Sequence, residues 1–304
     1  MFELHTSDFD PCPARAMLRR EGKYDGVAGV ALTRGLIAHS ALEIMHNEPD
    51  ELLTSALQRA VAGTINQLEH DGRIPSDAVM NNLSEMEKEI IEILDHYKRR
   101  ILPVTSRWTL LGTEIPVHWE LAEDVALSSH IDALFVTDEG KPIIWDWKWR
   151  KDAISFSDLS RNLQLACYFS CLLDGQVLLD GESAELAVDK FNWYDMGECW
   201  CYPQDCPTPD VAWIDLPSLK PYTRKVVAND DNGEQVQFYK GDDRPLSRII
   251  KTISHHPDSV ETIKKQALMR ARLIMEDKRI FIPQGCSHCE CEAWCTRFDM
   301  NENI

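Results

Sequence analysis

The sequence has no apolar run approaching the roughly 20 residues needed to cross a bilayer, no low-complexity tract and no internal repeat. It is also short of positive charge, with 32 Lys and Arg against 50 Asp and Glu and a formal net charge of -18. The first absence excludes a helical membrane span. The opening MFELHTSDFD is acidic and polar and has none of the basic and apolar character of a signal peptide, so a soluble cytoplasmic protein is expected. The charge deficit excludes a protein that coats nucleic acid over its whole surface. Any bound polyanion must be held by clustered Lys and Arg, or by metal ions bridging acidic side chains to phosphate. What is present is a folded chain: 304 residues with 44% apolar content bury an ample core in one large domain or two smaller ones.

The hydrophobic pattern changes along the chain. The first hundred residues read as helical: Thr33 is expected to cap a helix in which Leu36, Ile37, Leu42 and Met45 recur at helical spacing, with His39 and Glu43 four apart on one side. Segments 50–70 and 76–101 continue as amphipathic helices, the second opening at Ser76. Segments 108–120, 125–137 and 142–149 alternate as strands, the last two joined by a DEGK turn. A helix is expected over 158–173 and a strand over 186–194. Residues 195–245 are turn-rich, with a short strand around 211–215 and a turn at DDNGE. Helices are expected again over 246–253 and 258–278. This order implies an α/β core with helical additions at both ends. We treat 1–304 as a single domain with a helical part (1–105), an α/β core (106–195) and a loop-rich and helical part ending in cysteines (196–304).

The run IIWDWKWR (143–150) carries the chemistry. In a strand, Ile143, Trp145, Trp147 and Trp149 share one face, while Asp146, Lys148 and Arg150 share the other with Ile144. A hairpin of 125–137 with 142–149 places Asp132 almost opposite Asp146. Like charges across strands repel, so the pair makes physical sense with a divalent cation between them. Lys148 points into the same site, where it could orient or help deprotonate a water and offset the charge developing on phosphorus. Glu114 could add a carboxylate, and His39 and Glu43 could approach from the N-terminal helix. Hard oxygen donors with one imidazole favour Mg²⁺ or Mn²⁺ over zinc, and the reaction class is metal-assisted phosphodiester hydrolysis. A lone D-x-K on a strand is common. The order of helical His, strand Glu, strand Asp, D-x-K and then a helix bearing Gln164 and Tyr168 gives this one its weight.

That order, Gly35-x-x-x-His39, Glu114-x-Pro116, Ile131-Asp132, Asp146-x-Lys148 and Gln164-x-x-x-Tyr168, resembles the RecB-like branch of the PD-(D/E)XK nucleases. The branch includes the nuclease domains of bacterial recombination helicase-nucleases and the CRISPR-adaptation exonucleases. The resemblance runs from about residue 12 to the C-terminus and is thinnest over 195–275. It implies a restriction-endonuclease-like core, a mixed central sheet flanked by helices. It further implies His39, Asp132 and Asp146 as metal ligands and Lys148 as the catalytic lysine. Gln164 and Tyr168, one turn apart, would face the site and touch DNA or the attacking water. Asp at 146 is usual in this branch, whereas Glu is common there in the wider superfamily.

The 10 cysteines, in a chain expected in a reducing compartment, point to metal or cluster ligation rather than disulfides. Cys286, Cys289 and Cys295 fit C-x₂-C-x₅-C, and thiolates select zinc or an iron–sulfur cluster, each needing four ligands. Spacing leaves the fourth open between Cys291 and Cys12. Iron–sulfur members of the RecB-like family carry one cysteine before the nuclease core and C-x₂-C-x₅-C after it. The resemblance therefore implies a [4Fe–4S] cluster on Cys12, Cys286, Cys289 and Cys295, with structural Zn²⁺ as the alternative. Cys199, Cys201 and Cys206 have ligand-like spacing without an assigned role, and Cys167 and Cys171 read as core residues.

Arg15, Arg19 and Arg20 form one basic group, and Lys148, Arg150, Lys151 and Arg161 another beside the site. Both are candidates for phosphate contacts, and Tyr168 or Trp149 for stacking on single-stranded bases. The expected function is a metal-dependent DNA exonuclease acting on single strands or duplex ends. The competing class is a catalytically silent nuclease-fold protein that binds DNA or a partner and keeps a structural zinc or iron–sulfur site. Protein partners and homo-oligomers are compatible with either. Cleavage polarity and pathway, whether repair, recombination, phage replication or CRISPR adaptation, are not legible in the sequence.

Overall fold

The computed structural model describes residues 1–5, 8, 13–22, 26–150, 154–179, 194–195, 200–201, 207–229 and 235–276. Helices α1 (Pro13–Arg20), α2 (Val30–Asn47), α3 (Leu53–His70), α4 (Asp77–Arg100) and α5 (Leu102–Thr105) precede the main strands. Short strands β1 (Phe2–His5), β2 (Val27–Ala28) and β3 (Ile74–Pro75) lie among them. Then come β4 (Thr109–Ala122), β5 (Val125–Val136), β6 (Pro142–Lys148), α6 (Phe156–Leu159), α7 (Leu163–Asp174) and β7 (Gln176–Val177). The rest comprises β8 (Tyr194–Asp195), β9 (Trp200–Cys201), β10 (Asp210–Asp215), β11 (Tyr222–Asn229), β12 (Gln235–Asp242), α8 (Leu246–Ile249), β13 (Ile250–Ser254) and α9 (Val260–Met275). No described helix is long and apolar enough to cross a membrane.

A mixed, mostly antiparallel sheet runs β13-β10-β6-β5-β4-β7-β9-β8, with β1 pairing parallel to the first half of β5. The β6–β10 pair is parallel. One face packs on α7 and α9 through Ile144, Leu165, Phe169, Trp213, Ile263 and Ala267. The other packs on α2, α3 and α4 through Ile37, Leu57, Ile93, Tyr97, Trp145 and Trp147. Alternation along β6 therefore divides as the pattern predicts, tryptophans to one layer and Ile144 to the other.

Local chemistry sets the element ends. Ser76 caps α4 by accepting the Val79 N–H at 3.3 Å, and Lys98, Arg99 and Arg100 close its last turn, where cations meet the helix dipole favourably. Asn162 accepts the Leu165 N–H at 3.1 Å and starts α7. The helix expected over 158–173 is thus two helices, α6 and α7, because this cap restarts the chain. Gly175 lets α7 turn straight into β7: a Cβ there would meet the carbonyls of Cys171 and His118 at 2.7 Å. Gly140 takes φ +78° in the β5–β6 turn, a conformation that costs glycine little.

Other expectations are corrected. Thr33 lies inside α2 and bonds back to the Gly29 carbonyl at 3.1 Å, and the helix begins at Val30. The helix expected over 246–253 ends at Ile249; Ile250–Ser254 instead forms the edge strand β13, paired antiparallel with β10. Its β-branched residues suit a pleated edge once a partner strand lies alongside. The strand expected at 211–215 is β10, and it lies directly beside β6. Most of the strand expected over 186–194 and the DDNGE turn lie outside the described residues.

Candidate active site

Three adjacent strands deliver three carboxylates in a row. The β5–β6 ladder ends at the pair Ala133 and Trp145, so the next positions are Asp132 and Asp146. The β4–β5 ladder pairs Thr113 with Ala133 and Ile115 with Ile131, which sets Glu114 opposite Asp132. Glu114 sits at φ +47°, the sole non-glycine residue with positive φ among the described residues. That left-handed backbone costs a residue with a Cβ about 1–2 kcal/mol. It belongs to the class of local strain that accumulates at functional sites.

The row is held from above and between. Asp132 Oδ2 accepts the backbone N–H of Trp147 at 2.6 Å and lies 3.6 Å from His39 Nδ1 on α2. Lys148 Nζ donates to Asp146 Oδ1 at 2.6 Å, while Asp146 Oδ2 is buried and has no partner. One donor atom each from His39, Glu114 and Asp132 lies within 4.8 Å of the others, a spacing that could hold a metal ion. Across the site, Gln164 Nε2 donates to the Tyr168 hydroxyl at 2.9 Å on α7, and that hydroxyl also bonds Ser129.

Crowded buried carboxylates resist ionising together. Burial, then the charges of Asp132 and Glu43, push the Glu114 pKa up to about 8. Asp146 rises to about 6, because burial and the Asp132 charge outweigh the Lys148 ammonium. Asp132 is also raised, first by burial. Burial pulls His39 down to about 4, helped by Lys148 and opposed by Asp146 and a hydrogen bond to the Trp147 backbone. His39 is thus a neutral imidazole with a lone pair to offer. Burial alone would lower the Lys148 pKa, but the charges of Asp146 and Asp132 win and raise it. Lys148 is a fixed cation here and not a base.

The donor set of one neutral imidazole and hard carboxylate oxygens fits Mg²⁺ or Mn²⁺. The orphaned Asp146 Oδ2 adds an acceptor with nothing to accept. The chain matches the PD-(D/E)XK nuclease superfamily over residues 5–296. It belongs to that superfamily. PD-(D/E)XK nucleases typically use divalent metals, in keeping with these donors. No curated protein matches the chain. A solved structure titled "Crystal structure of SSO0001" is 10% identical over 93% of this chain and 94% of that one. Its TM-score is 0.32, too low to carry an argument.

Of the residues read from the sequence, His39, Glu114, Asp132, Asp146, Lys148, Gln164 and Tyr168 come together here. Tyr168 is 2% exposed, so it is no stacking platform for a base; its hydroxyl alone is placed to act. Trp149 is partly buried against the α2–α4 layer, with the Arg34 guanidinium 5.7 Å from its ring. Arg150 is exposed, its guanidinium 5.6 Å from the Trp213 ring, and Arg161 is exposed just before α7. Arg15 and Arg19 lie on α1, which packs on α9. Arg20 is engaged by Asp8 at 3.1 Å through Nε. Lys151, Cys12, Cys199, Cys206, Cys286, Cys289, Cys291 and Cys295 lie outside the described residues. Cys167 and Cys171 are buried on α7. Sequence reading missed the Trp147 N–H, which holds Asp132, because a backbone donor leaves no residue signature.

Proposed function

We propose that the chain is a metal-dependent deoxyribonuclease of the RecB-like type, an exonuclease working on single-stranded DNA or duplex ends. The row Glu114, Asp132, Asp146 with Lys148 beside it carries this reading. His39, Glu114 and Asp132 would hold Mg²⁺ or Mn²⁺, with Asp146 alongside. When bound, the cation supplies Lewis-acid polarisation of the phosphodiester and a more acidic water. The chain's own groups do the rest. Lys148, kept protonated by Asp146 and Asp132, places a fixed positive charge where the phosphate accumulates negative charge. Gln164 and the Tyr168 hydroxyl face the same charges and can orient a water or a phosphate oxygen. Arg150 and Arg161 would meet phosphates outside the site.

We further read Cys12, Cys286, Cys289 and Cys295 as ligands of a [4Fe–4S] cluster. Supporting this, the stretches next to them are tied together: α1 packs on α9, and Arg270 Nε donates to the Asp8 carbonyl at 2.7 Å. A cluster there would clasp the two ends of the core.

Purified chain with Mn²⁺ should degrade end-labelled single-stranded DNA, and Lys148→Ala should abolish the cleavage. Retained cleavage by that variant would remove Lys148 from the mechanism. Products from 5′- and 3′-labelled strands report the polarity. Anaerobic preparations should be brown; a colourless, iron-free protein would replace the cluster with zinc.

A further inference from the structure

Trp147 joins two layers of the protein. On the site side its backbone N–H donates to Asp132 Oδ2 at 2.6 Å. On the other side its fully buried indole donates through Nε1 to the Tyr97 hydroxyl at 3.2 Å. The same hydroxyl lies 2.9 Å from His46 Nε2, and the His46 ring stacks on the indole, with centroids 5.5 Å apart and planes 16° apart. Indole nitrogen only donates, so the Tyr97 oxygen accepts from Trp147. The hydroxyl's own proton finds its acceptor in His46 Nε2 when the imidazole is protonated on its other nitrogen. The buried indole and hydroxyl and the half-buried imidazole thereby satisfy one another. His46 also lies seven residues beyond His39 on α2, so one helix offers one imidazole to Asp132 and the other to the Trp147 ring.

We propose that Tyr97 and His46 are positioning residues. They lock the Trp147 side chain, and so the Asp146–Trp147 peptide, in the orientation that aims its N–H at Asp132. This rests on the nuclease reading and assigns the support behind its metal-holding face. Neither residue touches substrate; each acts through Trp147. Partners at this remove typically govern metal affinity or activity by about 10- to 100-fold.

Tyr97→Phe keeps the ring and removes the oxygen, leaving the Trp147 indole N–H and His46 Nε2 without partners. His46→Phe keeps an aromatic stack and removes the acceptor, testing the same link independently. Ile90→Val loosens the same helix and core without touching the hydrogen bonds. For each, Mn²⁺ affinity is measured by calorimetry, and the Trp147 amide proton is followed by NMR in metal-free protein. We expect a 10- to 100-fold weaker Mn²⁺ Kd for both aromatic variants. The Trp147 amide resonance should move upfield as its bond to Asp132 loosens. Ile90→Val should leave both unchanged. An unmoved amide resonance with wild-type Mn²⁺ affinity in Tyr97→Phe and His46→Phe overturns the proposal, as does an equal loss in Ile90→Val. Wild-type protein that binds no Mn²⁺ and cuts no DNA would instead overturn the nuclease reading, and this inference with it.

Discussion

The two faces of β6 differ in what fills them, aromatic rings on one and carboxylates on the other. On the α2–α4 side, Trp145 and Trp147 are fully buried among Phe135, Trp108, His46 and Tyr97. On the other, Asp146 is fully buried with one oxygen unpartnered, and its neighbours in the row are further carboxylates. On the charged face one ammonium, Lys148, stands against three carboxylates. Packing on the tryptophan face forces carboxylates into a proximity they would otherwise avoid, as expected where binding a cation matters more than stability. Damage to the tryptophan face should therefore cost folding. Damage to the charged face should cost catalysis far more than folding.

The largest effect should come from Trp145. Trp145→Ala removes a side chain packed 5.0 Å from Phe135 between ring centroids and 6.0 Å from Trp108. Such deletions cost about 3–5 kcal/mol, to be read from urea unfolding. Trp145→Phe should cost much less, because the indole nitrogen has no partner to lose. A loss as large for Phe as for Ala would show that shape dominates there.

Next in size is the opposite kind of damage. Lys148→Ala should lower kcat by at least about 10²–10³-fold, equivalent to roughly 3–4 kcal/mol of transition-state stabilisation. It should also lower the urea midpoint, because the buried Asp146 loses its ion-pair partner, but by less than Trp145→Ala does, since Asp146 can take up a proton. A variant that lost folding and activity in proportion would erase the distinction between the faces.

The row itself gives a smaller, pH-dependent effect. The Glu114 pKa stands near 8 in the fold against an ordinary value of 4.5, so the folded chain holds a proton that the unfolded chain releases. Stability from this group is fully present below about 4.5 and is lost as pH rises through about 8. His39 and His46, both held near 4 against an ordinary 6.5, oppose this slope only where the unfolded chain still protonates its imidazoles, and that opposition fades above about 6.5. Metal-free protein should therefore melt at lower temperature at pH 8 than at pH 6.5. Glu114→Gln should flatten that slope and raise stability at pH 8 by about 1 kcal/mol. Adding Mn²⁺ to the wild type should reverse the slope, because ligand carboxylates must be deprotonated to bind. A metal-free melting temperature independent of pH over this range would show that the row is less crowded than its geometry says.

These contrasts mark what was readable in the sequence. Alternation in IIWDWKWR gave the two faces, and the short DEGK turn fixed the register closely enough to set Asp132 beside Asp146. His39 was visible because helical spacing put it on a polar stripe of α2. The left-handed backbone at Glu114 was not legible, since Glu carries no sign of positive φ. Tyr97 and His46 stand 51 residues apart and meet only through tertiary packing. The strand β13 was hidden in Arg-Ile-Ile-Lys-Thr-Ile-Ser, where apolar spacing also suits a helix and the partner β10 decides.

The smallest effect tests where the charged face meets solvent. Arg150 stands two residues past the end of β6, and its guanidinium lies near the Trp213 ring, with the Lys148 Nζ 5.9 Å from that ring. Lys148 is committed to Asp146, whereas Arg150 is exposed and suited to an arriving phosphate. One exposed phosphate contact is screened by salt, so Arg150→Ala should weaken single-stranded DNA binding only a few-fold near physiological salt. The diagnostic is the slope of log affinity against log salt, which should flatten by about 0.7, the value for one contact on a single strand. An unchanged slope with a lower melting temperature would assign Arg150 to the support of Trp213 and place the DNA path elsewhere on the rim.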